Sequence, residues 1–166
     1  MEVAQSMSED THRKGKTIDE IVEGDSLTVN ESLSDRDVLL YLGMTNDNNP
    51  LYIQHQYAKE TGYEGPVVPP VLLTGIITSS ISKLLPGPGS EVVNLSVNFM
   101  LPVYHDENVT LNFEVIKVDT MKEVVTLSIT GTKNEDERIV DAIVMVKPPK
   151  KRLNSIKGVN IEEVNA

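Results

Sequence analysis

The clearest signal along the chain is a change of period. Val93, Leu95, Val97, Phe99 and Leu101 alternate with Asn94, Ser96 and Asn98, the period of two expected of a half-buried strand. Val109, Leu111, Phe113 and Val115 repeat the pattern after a turn over Tyr104 to Asn108. Val125, Leu127 and Ile129 make a third such segment, the stretch from Gly131 to Glu137 reads as a turn, and Ile139 to Val146 is a nearly continuous apolar fourth. Upstream the period is helical. Leu73, Ile77, Ile81 and Leu84 recur at helical spacing behind Pro69-Pro70, where a first turn tolerates missing N–H groups. Leu72, Ile76 and Leu85 make the other flank apolar as well, so this helix is predicted to be buried. Pro86-Gly87-Pro88-Gly89 ends it.

Before that helix, Leu27 and Val29 alternate with polar neighbours and predict a first strand. Ser34 opens a helix with Asp37 three positions on in a capping-box pattern, and Gly43 is available to end it. A loop follows over Met44 to Pro50, then a short helix from Gln54 to Thr61 closed by Gly62. Residues 1–16 are polar and aperiodic and read as a mobile leader, 17–148 as a single domain, and 149–166 as a C-terminal tail. The expected fold class is α+β, an antiparallel sheet wrapped around one long buried helix. In it four late strands are joined by hairpin-sized turns, with the early strand at one edge.

Composition narrows the function. At 166 residues the chain is one domain with a real core, and 39% hydrophobic with 24% charged residues is ordinary for a soluble protein. A formal charge of −10 repels a phosphate backbone, so no nucleic-acid partner is expected. No apolar run reaches spanning length and the acidic leader lacks the features of a signal or transit peptide, so no membrane association and a cytoplasmic location are expected. The chain has no Cys and its three His are scattered, so neither a metal nor another cofactor is expected.

The segment with the most chemistry is Thr45-Asn46-Asp47-Asn48-Asn49-Pro50-Leu51-Tyr52, which sets one carboxylate and three carboxamides between two helices. Asx residues before a proline are ordinary turn formers, and from composition alone that is the default reading. The segment has company, however. Asp47-x-Asn49-Pro50-Leu51, Tyr57-Ala58, Gly65-Pro66-Val67-Val68-Pro69, Leu84-Leu85-Pro86-Gly87-Pro88-Gly89-Ser90 and Phe99-x-x-Pro102-Val103-Tyr104, in this order and spacing from about Ile18 to Lys147, resemble the MaoC-like hydratase family.

That resemblance implies a hotdog fold and (R)-specific hydration of an enoyl thioester, or the reverse dehydration, on CoA or an acyl carrier protein. In the family an Asp and a His five residues apart activate the water, and a backbone N–H at the start of the central helix polarises the thioester oxygen. Asp47 stands at the family's Asp, and Asn49-Pro50 match the residues that shape its loop. Tyr52 stands in place of the His, and Pro70, which has no N–H, in place of the Gly that supplies the donor.

His55, three residues after Tyr52, is either a rearranged member of the acid-base set or an exposed residue of a short surface helix. Val71 offers the next N–H. Thr78, eight residues after Pro70, is either a substrate-side hydroxyl or one bonded back to its own helix. His105 reads as a turn residue. Two functions remain open: a hydratase or dehydratase with a departed site, and a non-catalytic acyl-thioester binder or inactive partner subunit. The resemblance further implies a homodimer or a heterodimer with a related hotdog subunit.

Overall fold

The alternating second half of the chain folds into one antiparallel sheet. In the computed structural model, which describes residues 14–151, the strands are β1 (Ser26–Ser32), β2 (Glu91–Phe99), β3 (Asn108–Asp119), β4 (Val124–Lys133) and β5 (Glu137–Lys147). They lie in the order β1-β3-β4-β5-β2. β3, β4 and β5 are successive hairpins, as the short turns between them predict. β2 departs from that expectation: it pairs with β5 rather than β3 and so forms the edge opposite β1. The link after it engages its backbone elsewhere, with Val103 O accepting from Val68 N at 2.8 Å and Asp106 N donating to Leu33 O at 2.8 Å. These bonds hold the link to other segments and leave no tight hairpin between β2 and β3.

The described helices are α1 (Asp35–Thr45), α2 (Pro50–Ile53), α3 (His55–Glu60) and α4 (Pro70–Lys83), preceded by a 3-10 turn at Ile18–Glu20. Leu73, Ile77 and Ile81 on α4 are buried in one core with Leu111, Phe113, Leu127, Ile129 and Val144 from the sheet. Each such side chain contributes about 1.5–3 kcal/mol on removal from water. The opposite flank of α4 is more open than its composition predicts: Val71 and Gly75 are exposed, and Leu72 and Ile76 are half-buried.

Three local expectations change. α1 starts as predicted, with Ser34 N and Oγ donating to Asp37 at 3.0 and 2.7 Å. It runs through Gly43, however, and stops at Asn46 in the left-handed region at φ 54. Asparagine tolerates that conformation, so the glycine is not needed. Gly131 lies inside β4, not in a turn. A Cβ there would meet Val140 and come within 2.7 Å of Leu111 Cδ2, so the core requires its missing side chain. In β2 a bulge between Val92 and Asn94 resets the alternation. Val92, Leu95 and Val97 pack on the core, while Val93, Phe99 and Leu101 are 41%, 44% and 43% exposed on the edge.

The expected leader falls mostly outside the described residues. Its last residues are docked: Lys16 N donates to Pro86 O at 2.8 Å and Lys16 Nζ meets Asp25 at 3.0 Å. At the other end Lys150 pairs with Glu123 at 2.8 Å. Among the described residues, no helix is long and apolar enough to cross a membrane.

Candidate active site

The polar loop between α1 and α2 is built from its own side chains. Asn46 turns the chain, Asp47 Oδ1 accepts from Asn49 N at 3.1 Å, and Asn49 Oδ1 caps α2 by accepting from Leu51 N at 3.0 Å, with Pro50 in the first helical position. The turn-forming reading therefore accounts for Asn49 and for one oxygen of Asp47. The other oxygen, Oδ2, accepts from the Tyr41 hydroxyl at 3.3 Å. Tyr41 lies one and a half turns upstream on α1, and sequence reading missed it because an aromatic among Leu39, Leu40 and Leu42 looks like packing.

Tyr52 completes the group. Burial raises its phenol above the ordinary tyrosine range, the negative charge of Asp47 raises it further, the Asn49 side chain pulls it down, and Tyr41 adds a smaller push upward. A phenol so placed remains neutral near pH 7 and acts as an O–H donor rather than as a base.

The loop is tied to the start of α4 by a short ladder. Val67 N donates to Leu51 O at 3.0 Å, Val68 N donates to Val103 O at 2.8 Å, and Val67 bridges Tyr104. Two residues beyond Val68 the helix opens on Pro70 with Pro69 as its cap. Neither proline has an N–H, and the Leu72 N–H donates to Pro69 O at 2.9 Å. The Val71 N–H is thus the first amide of α4 with no partner of that kind.

His55 and Tyr52 lie on different helices. Tyr52 belongs to α2 and His55 opens α3, and Gln54 between them is extended at φ −111 and ψ 108, so the helical spacing of three is broken and His55 is exposed beside Gly65. Thr78 Oγ1 donates back to the Thr74 and Gly75 carbonyls at 3.1 and 3.2 Å. His105 is not in the group either: its Nδ1 pairs with Asp35 at the start of α1. Among the described residues, no cluster of three or more His, Asp or Glu could hold a metal ion.

Known proteins resemble this chain in sequence and fold. The family model described as MaoC like domain matches residues 13–137. An (R)-specific enoyl-CoA hydratase of Rhodospirillum rubrum is 32% identical over 114 residues, 69% of this chain and 79% of that one. A 3-hydroxybutyryl-CoA dehydratase of Methylorubrum extorquens is 27% identical over 121 residues, covering 73% and 76%. The solved (R)-hydratase from A. caviae, involved in PHA biosynthesis, superposes with a TM-score of 0.74 at 26% identity, over 78% of this chain and 98% of that one. The architecture is the hotdog fold, α+β with the sheet wrapped on α4.

The raised phenol has a measurable sign. A group whose folded pKa exceeds its unfolded value stabilises the fold fully below the unfolded pKa, about 10 for tyrosine, and loses that contribution as pH rises through the folded value. Ultraviolet titration of the wild type against a Tyr52→Phe control is expected to show one tyrosine ionising above the ordinary range. Asp47→Asn is expected to lower it only in part, because burial is the larger cause. A Tyr52 that ionises within the ordinary tyrosine range contradicts the arrangement.

Proposed function

The chain belongs to the MaoC-like family, and from that premise we propose that it adds water to a 2-enoyl thioester, or removes it from the 3-hydroxyacyl form, with Asp47 as the acid-base group. The observation that carries this reading is the Asp47 carboxylate gathered with the hydroxyl of Tyr41 and the raised phenol of Tyr52 in a loop latched to the start of α4.

In hydration, the water oxygen bonds to the β-carbon while Asp47 takes its proton, and the electron pair of the double bond moves through the α-carbon to the thioester oxygen. The Val71 N–H holds that oxygen in place of the amide that Pro70 lacks. The proton then passes from Asp47 to the α-carbon as the carbonyl re-forms. In the reverse direction Asp47 takes the α-proton and returns it to the departing hydroxyl, which the neutral Tyr52 O–H steadies. Asn49 and Pro70 shape the two sides of the site. Thr78 lies two turns into the same helix, where its oxygen retains acceptor capacity toward the acyl chain. His55 is left outside this set, because the extended Gln54 separates it from Tyr52.

The acyl group is carried on CoA or a carrier protein, as the names of the relatives allow. A second reading, binding without turnover, is favoured by Tyr52 and Pro70 together, since a phenol is a poor base near pH 7 and a missing oxyanion donor costs about a hundredfold or more in rate. Loss of the conjugated absorbance of a short 2-enoyl-CoA separates the two. The hydro-lyase reading expects turnover that Asp47→Asn lowers by at least about a hundredfold and Tyr52→Phe by about tenfold. Thermal stabilisation by acyl-CoA with no turnover above the Asp47→Asn control supports binding alone.

The partner that fits is a second copy or a related hotdog subunit pairing along β2. Val93 and Phe99 of this edge strand, and Met100 and Leu101 just beyond it, are exposed, and the strand's unpaired backbone groups are a template for another strand. Light scattering of the purified protein is expected to report a two-chain species. A stable monomer at assay concentration removes the homodimer, and a monomer that remains active removes the need for any partner.

A further inference from the structure

Lys133 closes β4 and is only 8% exposed, a position in which a lysine requires partners. Its Nζ donates to Pro102 O at 2.8 Å and to both Glu107 oxygens, at 3.2 and 3.0 Å, and lies 5.0 Å from the centre of the Tyr104 ring. Glu107 Oε2 also accepts from the Tyr104 N–H at 2.8 Å. One ammonium therefore gathers both ends of the strap from Pro102 to Glu107.

That strap carries the ladder described above. Val103 O accepts from Val68 N at 2.8 Å, Tyr104 pairs with Val67, and the Tyr104 hydroxyl accepts from Glu64 N at 3.2 Å. Val67 N in turn holds Leu51 O at 3.0 Å. Leu51 immediately precedes Tyr52, and Val68 lies three residues before Val71. The loop that carries Asp47 and Tyr52 and the helix start that carries the Val71 amide are thus both reached from the strap through two adjacent hydrogen bonds.

We propose that Lys133 is a positioning residue for the acyl-thioester site: by pinning the Pro102–Glu107 strap it fixes the distance between Asp47 and the start of α4. This inference rests on the function proposed above. The stability of the sheet does not explain the lysine. A buried ion pair is frequently no more stabilising than apolar residues of the same size, so what Lys133 adds is geometry. Catalytic groups need that geometry, because a displacement of about 1 Å can cost a hundredfold in rate.

Lys133→Met alone leaves the half-buried Glu107 carboxylate without its ammonium partner, so the test uses Lys133→Met combined with Glu107→Gln, with Lys133→Arg as the conservative variant. The readouts are kcat and KM for 2-enoyl-CoA hydration and hydrogen exchange at the Val67 and Val68 amides, with the β3 amides as internal reference. The double variant is expected to remain folded, to lose about tenfold in kcat with KM within about threefold, and to exchange Val67 and Val68 at least about tenfold faster while β3 is unchanged. Lys133→Arg is expected to recover most of kcat. Loss of rate without faster exchange, faster exchange without loss of rate, or wild-type values for both overturns the proposal. If the wild-type protein turns over no enoyl thioester, the hydro-lyase reading fails separately. Thermal stabilisation by acyl-CoA then replaces kcat, and a double variant stabilised as strongly as wild type overturns the role of Lys133.

Discussion

Everything in this molecule is arranged around the need to keep one face of α4 dry. Leu73, Ile77 and Ile81 are removed from water, and the sheet covers them with the alternating inner faces of β3, β4 and β5. Once that helix is fixed, its first turn is fixed too, and with it the point where Pro69 and Pro70 remove two amides and leave the Val71 N–H free. The functional geometry follows from the packing: a helix start has a place in space only because its apolar face is buried.

The other half of the site is held by polar contacts alone. Asn46 in the left-handed region, the Asp47 and Asn49 turns and the Pro50 helix start shape a loop with little apolar burial of its own. Such a loop needs external ties, and the bonds from Leu51 through Val67 and Val68 to Val103 provide them. In the function proposed above, the neutral Tyr52 phenol donates a hydrogen bond and the Val71 N–H stands in for the amide that Pro70 lacks, so the acid-base work falls to Asp47.

How much of this could be read from the sequence follows from the range of the forces involved. Alternation in Val109 to Val115 and helical spacing in Leu73 to Ile81 are local consequences of burial, and those elements appear where their pattern places them. The order of the strands is not local. β2 lies beside β5 because of where its following link makes hydrogen bonds, and no periodicity records that. The bulge at Val92 to Asn94 moved the inner face of β2 by one residue, which is enough to exchange Val93 for Val92. Asp47 was legible as a motif residue, whereas Tyr41 was not, since its hydroxyl meets Asp47 only after α1 has run past Gly43. Lys133 was equally invisible, because its partners Pro102 and Glu107 are distant in sequence.

The central claim is that an activated carbonyl sits between Asp47 and the first free amide of α4. Its most direct test is nuclear magnetic resonance of the labelled protein as a saturated acyl-CoA, which has no double bond to hydrate, is added. The Val71 amide proton is expected to move to lower field and to exchange more slowly, together with a shift of the Asp47 carboxyl carbon. An acyl-CoA that binds and shifts other residues while both Val71 and Asp47 stay unmoved contradicts the account.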